Sequence, residues 1–177
     1  MTLSARDVAA VLRERLPGLT VKKLHKLLYY CQGHHLAVFG EPLFAEAVSA
    51  WDMGPVVGEL WYAEKQGTPA APPAPPDQAA LNTIGYVLSR YGALTGEDLE
   101  RLSHNEDPWR LANARRSPGG SVRIERDWLR EYFRDEGAPD AGVPSDPAWL
   151  RDAPARLAQP AHPDSPEEIR RRLARAA

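Results

Sequence analysis

The amino-acid sequence predicts a mainly α-helical fold, α+β at most, in which a compact multi-helix domain surrounds one buried central helix. Between residues 24 and 39, apolar side chains recur at three- and four-residue steps and cover most of a helical circumference, which is typical of a helix enclosed by neighbours. Side chains that cap helix N-termini precede most other apolar segments. Alternation of apolar and polar residues is confined to residues 43–51 and 122–125, which leaves room for at most a short two-stranded β element.

The central helix is expected to begin after Thr20, which can cap its N-terminus, and to end at Gly40. Its apolar stripe consists of Leu24, Leu27, Leu28, Cys31, His35 and Val38, widened by Tyr30, His34 and Phe39, and its thin polar side consists of Lys22, Lys26, Gln32 and Gly33. Gly33 inside a helix costs up to roughly 1 kcal/mol relative to Ala. A close approach by a neighbouring helix is the simplest gain that would offset this cost.

The remaining elements follow from caps, prolines and apolar spacing. Further helices are predicted at residues 4–16, 55–66, 77–91, 95–103, 107–112 and 127–135. The helix at 55–66 begins at Pro55, with Asp52 as a nearby cap. A strand at 47–51 is expected to pair with a brief strand at 122–125, because an isolated strand has no hydrogen-bonding partners.

Proline content predicts how the chain divides into domains. Residues 1–136 are expected to form one helical domain, interrupted by an exposed proline-rich loop at 67–76. Residues 137–177 form a second, proline-rich extension that ends in a short helix, capped by Ser165 and Glu168. The apolar face of that helix is weak, so we expect the extension to bind a partner and to help select it.

Composition narrows the classes of partner and compartment. The chain has 24 acidic and 22 basic residues, so no bulk field draws it to nucleic acid or to an anionic membrane. No apolar run is long enough for a membrane span, and the N-terminus lacks the pattern of a signal peptide. A single cysteine, Cys31, fits a reducing compartment. We therefore expect a cytoplasmic protein with no membrane partner.

Motifs for catalysis and metal binding are missing from the sequence. It contains no HExxH, no CxxC and no spaced carboxylate set, so no metal, no cofactor and no enzymatic activity are expected. His104 and Glu106 could form an acid–base pair, but packing of His104 under the start of the helix that carries Trp109 is the favoured alternative. Trp51 and Trp109 lie near loops, where tryptophan serves either as core or as a binding hot spot.

Two blocks of sequence carry a resemblance to a known family. The first reads LHKLLYYCQGHHL at 24–36, GEPLF at 40–44 and AWDMGPVV at 50–57, and the second reads SHNEDPW at 103–109. In this order they resemble the Panacea domain, the family of SocA-like antitoxins, over about residues 3–133. Ser103 departs from the threonine that the family usually shows.

The resemblance implies an antitoxin of a toxin–antitoxin system that neutralises its toxin by direct protein–protein binding. The partner would be a cognate toxin encoded by the adjacent gene. A proteolytic adaptor that delivers the toxin to the ClpXP protease is the first alternative. A DNA-binding autoregulator of its own operon is the second, although basic residues such as Arg110 and Arg116 are interleaved with acidic ones. Binding to a second copy of the chain also stays open.

The resemblance also assigns candidate residues. The family motif falls on Leu27, Tyr30, Gln32, Gly33, Trp51, Gly54, Pro55, Val56, His104, Glu106, Pro108 and Trp109. The motif and partner-binding candidates are Tyr30, His34, Trp51, Asp52, Gly54, Pro55, His104, Glu106, Pro108, Trp109, Trp149, Ile169 and Leu173. Most of the motif positions are scaffold positions, and none belongs to a known catalytic set.

Overall fold

Seven helices and a small antiparallel sheet make up residues 2–136, the part of the chain that the computed structural model describes. In chain order the elements are α1 (Ala5–Arg15), α2 (Val21–Phe39), β1 (Ser49–Trp51), β2 (Gly54–Val56), α3 (Gly58–Lys65), α4 (Gln78–Tyr91), α5 (Gly96–His104), α6 (Asp107–Asn113), β3 (Val122–Arg123) and α7 (Arg126–Glu136). The mainly helical fold class is confirmed. The predicted extension at 137–177, with Trp149, Ile169 and Leu173, lies outside the described residues. None of the helices described here combines the length and the apolar character that crossing a bilayer would need.

Helix α2 lies at the centre and packs against α7, α4, α5 and α1. Its whole middle is buried, from Leu24 to Leu36, as the apolar stripe predicts. The predicted polar side is wrong for Lys26 and Gln32, because both are buried. The Gln32 side chain accepts from the Leu43 amide and donates to the Phe44 carbonyl. These bonds fix the segment at 43–44 against α2. Burial of these polar side chains is tolerated because each is hydrogen-bonded to a backbone group.

Caps are found at four of the predicted helix starts, Ser4, Thr20, Asp77 and Thr95. The cap predicted at Asp52 is wrong, because α3 follows Val57 with no side-chain cap. Ser4 and Thr95 each form a capping box with the acidic residue three positions on, Asp7 and Asp98. Thr20 caps α2 by accepting from the Lys23 amide. Asp77 caps α4 in the same way. Side-chain chemistry that acts within one turn therefore sets where these helices begin.

The sheet has the strand order β2-β1-β3, with both pairs antiparallel. The predicted pairing of β1 with the segment near 122 is confirmed, with Ala50 opposite Val122. The prediction that α3 begins at Pro55 is wrong, because residues 54–56 form the additional strand β2 and the helix begins only at Gly58. Gly54, at a φ of +102°, permits the tight return from Trp51. Pro55 is tolerated in β2 because β2 is an edge strand, where no amide donor is required on the open side.

The close helix approach predicted at Gly33 is also confirmed. A Cβ atom at this position would overlap the ring of Phe133 on α7. That ring also makes edge contacts with Tyr29 and Tyr30, so there is little space into which it could move. The absence of a side chain at Gly33 therefore allows α7 to pack directly on α2.

Gly33→Ala is expected to lower the free energy of unfolding by about 1–3 kcal/mol, because the added methyl group overpacks a filled core. Gly85→Ala in α4 is the matched control, since a Cβ there meets only Arg15 Nη1 at 3.8 Å. The control should gain up to about 1 kcal/mol from helix propensity. Urea unfolding of both variants and the parent chain measures the difference. Equal stability of the two variants would show that Phe133 does not fill the space at Gly33.

Candidate functional site

A groove with a volume of about 440 Å³ opens on the surface between the start of α2, the β1–β2 hairpin, α3 and the loop at 119–121. Apolar and aromatic side chains form most of its wall. We call it the aromatic groove and define it by Val21, Trp51, Met53, Trp61 and Tyr62. Three separate stretches of chain contribute to it, so it exists only in the folded domain.

Exposed apolar side chains concentrate at this groove. Val21 is 52%, Met53 56% and Tyr62 55% exposed, and in the described chain they are three of the four large hydrophobic side chains that face solvent. The fourth, Leu111, lies elsewhere, on α6. Contiguous exposed apolar surface of this kind is typical of an interaction site in a folded domain.

The aromatic rings are arranged edge to face rather than at random. The ring centres of Trp51 and Trp61 lie 5.4 Å apart, and those of Trp61 and Tyr62 lie 5.0 Å apart, with interplanar angles of 72° and 88°. Trp61 is only half-buried, although the apolar pattern of residues 55–66 would place it in the core with Leu60. Leu60 occupies the inward face of this short helix, and the next two residues turn away from it.

Hydrogen bonds fix the wall of the groove. The Trp51 indole donates to Ser121 Oγ over 2.9 Å. Arg116, whose side chain is 8% exposed, pairs with Asp52 at 2.6 Å and donates to the Gly120 carbonyl at 3.3 Å. The hairpin and the loop at 119–121 are therefore held together, and the groove is preorganised.

The floor of the groove contains a buried ammonium group. Lys26 is 1% exposed, and its Nζ donates to the Pro55 carbonyl over 3.2 Å. Burial lowers the pKa of Lys26 to about 8, so the group is still mostly charged at neutral pH. A Cβ at Gly54 would lie 2.6 Å from Lys26 Cε, so a glycine at this position leaves space for the lysine.

His25 lies beside Lys26 in the chain and also lines the groove. Its Nδ1 accepts from the Val57 amide, which places the proton of the neutral ring on Nε2. Nε2 is buried and has no hydrogen-bond partner. Burial lowers the pKa of His25 to about 4, so the ring is neutral at pH 7 and Nε2–H is an unused donor.

A second polar cluster lies in the core behind the groove. Glu106 is 3% exposed, and its two oxygens accept from the hydroxyls of Tyr29 at 3.0 Å and Tyr30 at 2.5 Å. Burial raises the pKa of Glu106 to about 8, although the two phenol donors act in the opposite direction. His34 is hydrogen-bonded to Tyr91 over 2.9 Å, and burial lowers its pKa to about 3.

His104 does not join this cluster. Its ring stacks on Trp109 with centres 3.9 Å apart and an angle of 21° between the planes. The structure therefore shows the packing alternative and not the acid–base pair, because the Glu106 oxygens are held by the two tyrosines. Within residues 2–136, no group of three or more His, Cys, Asp or Glu side chains could hold a metal ion.

Within the described chain, the site residues predicted from the sequence lie in three places: at the groove, in the core cluster and around the start of α6. Trp51 and Asp52 lie at the groove, and Gly54 and Pro55 lie on β2 against Lys26. Tyr30, His34 and Glu106 lie in the core cluster, and His104, Pro108 and Trp109 lie around the start of α6. Val21, Met53 and Tyr62 were not among the site residues predicted from the sequence. Met53 could have been predicted, because a large apolar side chain in a turn between two strands is exposed to solvent.

The surface so defined is typical of a protein-binding domain. Residues 24–74 match the family model described as "Antitoxin SocA-like, Panacea domain", which confirms the resemblance for this segment. The match spans less than a third of the 177-residue chain, and the second block at 103–109 lies outside it. No curated protein and no solved structure matches the chain.

The raised pKa of Glu106 predicts a pH-dependent stability. The folded state holds the proton up to about pH 8, whereas the unfolded carboxyl loses it near 4.5, so the contribution is complete below pH 4.5 and is lost as the pH rises through 8. Between pH 6.5 and 8, the contribution of Glu106 to the free energy of unfolding should fall by roughly 1–2 kcal/mol. Buried groups with lowered pKa values, such as His25 and His34, contribute in the opposite sense but are shared with Glu106→Gln. The difference in stability between the parent chain and Glu106→Gln should therefore shrink by that amount. Urea unfolding of both proteins at several pH values measures it, and a difference that does not change with pH would contradict the assignment.

Proposed function

We propose that this chain is an antitoxin that neutralises a cognate toxin by direct protein–protein binding, and that the toxin contacts the aromatic groove. One observation carries the proposal. Trp51, Met53, Trp61 and Tyr62 all lie within residues 24–74, the segment that matches the antitoxin family model. Four of the five residues that define the aromatic groove therefore lie within the family match, and Val21 lies just before it.

The chemistry of the groove suits binding to a protein. Tryptophan, tyrosine and methionine are enriched in the centres of interfaces, where a few such side chains supply most of the affinity. The groove is also held in place by Arg116 and Ser121 before any partner arrives. A preorganised surface loses less conformational entropy on binding, which favours affinity.

The proposal assigns no catalytic step to this chain. Glu106 and His34, whose pKa values are strongly shifted by burial, lie in the core and are bonded to tyrosines. Burial likewise raises the pKa of the Cys31 thiol, which disfavours the reactive thiolate. These arrangements support a structural role for each group.

Met53→Ala and Tyr62→Ala are each expected to weaken toxin binding roughly tenfold or more, since each removes an exposed apolar anchor from the groove. Both side chains are more than half exposed, so the variants should fold normally. Leu111→Ala is the matched control, because Leu111 is an exposed apolar residue of α6 outside the groove. Co-expression with the product of the adjacent gene, pull-down and titration calorimetry supply the measurement.

The same co-expression separates sequestration from proteolytic delivery. Direct neutralisation predicts a stable complex and rescue of growth in a strain that lacks ClpX. Rescue that requires ClpX would favour the adaptor alternative instead. If neither complex nor rescue is found, or if Met53→Ala and Tyr62→Ala bind like the Leu111→Ala control, the proposed function or the proposed surface is wrong.

A further inference from the structure

The charges around the aromatic groove are not balanced. Lys22 is paired with Glu97 at 3.6 Å and with Glu100, and Asp52 is paired with Arg116 at 2.6 Å. The carboxylates closest to the groove are therefore already neutralised by partners within the domain. Glu59, an exposed carboxylate of α3, does not line the groove.

Two lysines at the groove have no such partner. In the described part of the chain, neither Lys26 nor Lys65 has a carboxylate within 4.0 Å. Lys26 on the floor uses one of its three N–H groups on the Pro55 carbonyl. Lys65 at the rim is exposed, and its Nζ lies 4.5 Å from the ring centre of Trp61.

Glu100, which is paired with Lys22, also attracts Lys26 but forms no ion pair with it, so Lys26 shares a carboxylate that is already engaged. The floor of the groove therefore keeps a positive charge. An anionic acceptor on a bound partner would offset this charge. A carboxylate supplies such an acceptor and also carries the charge opposite to those of Lys26 and Lys65.

We propose, building on the function proposed above, that the groove receives a segment of the partner protein in which an aspartate or glutamate side chain lies between large apolar residues. The acidic group is attracted by Lys65 at the rim and by the positive charge of Lys26 beneath the floor. The apolar neighbours pack on Trp51, Trp61 and Tyr62. The observations that carry this assignment are the two lysines without an ion pair and the exposed aromatic wall.

The test selects binders without using any toxin. A library of short random segments, displayed inside a loop of a carrier protein so that no free carboxyl terminus is present, is selected on the full-length chain. The segments recovered should carry an aspartate or glutamate flanked by apolar residues. Tyr62→Ala should lose them, which places binding at the groove.

Charge variants test the recognition itself. Lys26→Met and Lys65→Glu should each weaken binding of the selected segments roughly tenfold or more, the size of one charge-assisted interaction. Lys23→Met is the matched control for Lys26→Met, because Lys23 is also on α2 and donates to a backbone carbonyl, that of Gly92, away from the groove. Lys65 is exposed, so Lys65→Glu remains informative if Lys26→Met fails to fold.

Several results would overturn the proposal. These are selected segments without an acidic position, equal binding by Lys65→Glu, or no selected segment at all. Enrichment only in a second library with free carboxyl termini would assign the site to a chain terminus instead. Self-association of the chain that Tyr62→Ala abolishes would assign it to a second copy. Because no toxin is used, each of these outcomes leaves the result of the co-expression experiment to be judged separately.

Discussion

The fold depends on a buried carboxyl group held by two tyrosines of the central helix. Glu106 immediately precedes α6, and its side chain reaches the hydroxyls of Tyr29 and Tyr30 in the core. A buried carboxyl is tolerated only when it is hydrogen-bonded, so these two bonds fix the position at which α6 begins. Trp109, early in α6, packs on His104 and directs its indole N–H to the Trp51 carbonyl at 3.4 Å. The core is thereby linked to the strand that carries the wall of the groove.

Helix α2 contributes to both the core cluster and the groove because its middle and its first turns face different neighbours. Its middle, around Tyr30 and His34, packs against α4 and α7, where Tyr91 stacks on Tyr30 with ring centres 4.0 Å apart. Its first turns supply the floor of the groove, with Lys26 bonded to the carbonyl of β2. The groove therefore cannot move relative to the core without displacing the central helix. This rigidity makes the groove a surface of fixed shape.

Local chemistry made much of the fold predictable, whereas the groove depended on tertiary contacts. Thr20, Gly40 and the capping boxes act within one helical turn, so the bounds of those helices could be predicted from sequence. The strand β2 was missed because a Gly-Pro pair suits a helix start as well as an edge strand, and only pairing with Trp51 decides between them. The burial of Lys26 was equally hidden, since periodicity does not show which carbonyl a lysine will meet. Three distant stretches form the groove, and no local pattern brings them together.

The structure separates residues that determine the fold from residues that face solvent at the groove. Lys26 lies against Gly54 of β2 and donates to the carbonyl of Pro55 in the same strand. Neither Lys26 nor Gly54 can therefore change alone without disturbing the floor of the groove. Val21, Met53 and Tyr62 are more than half exposed, and their side chains add little to folding, since burial is what makes an apolar residue stabilising. Substitutions at these exposed positions can alter the shape and polarity of the wall at little cost in stability. A domain built in this way can change the surface of its groove while it keeps the same core.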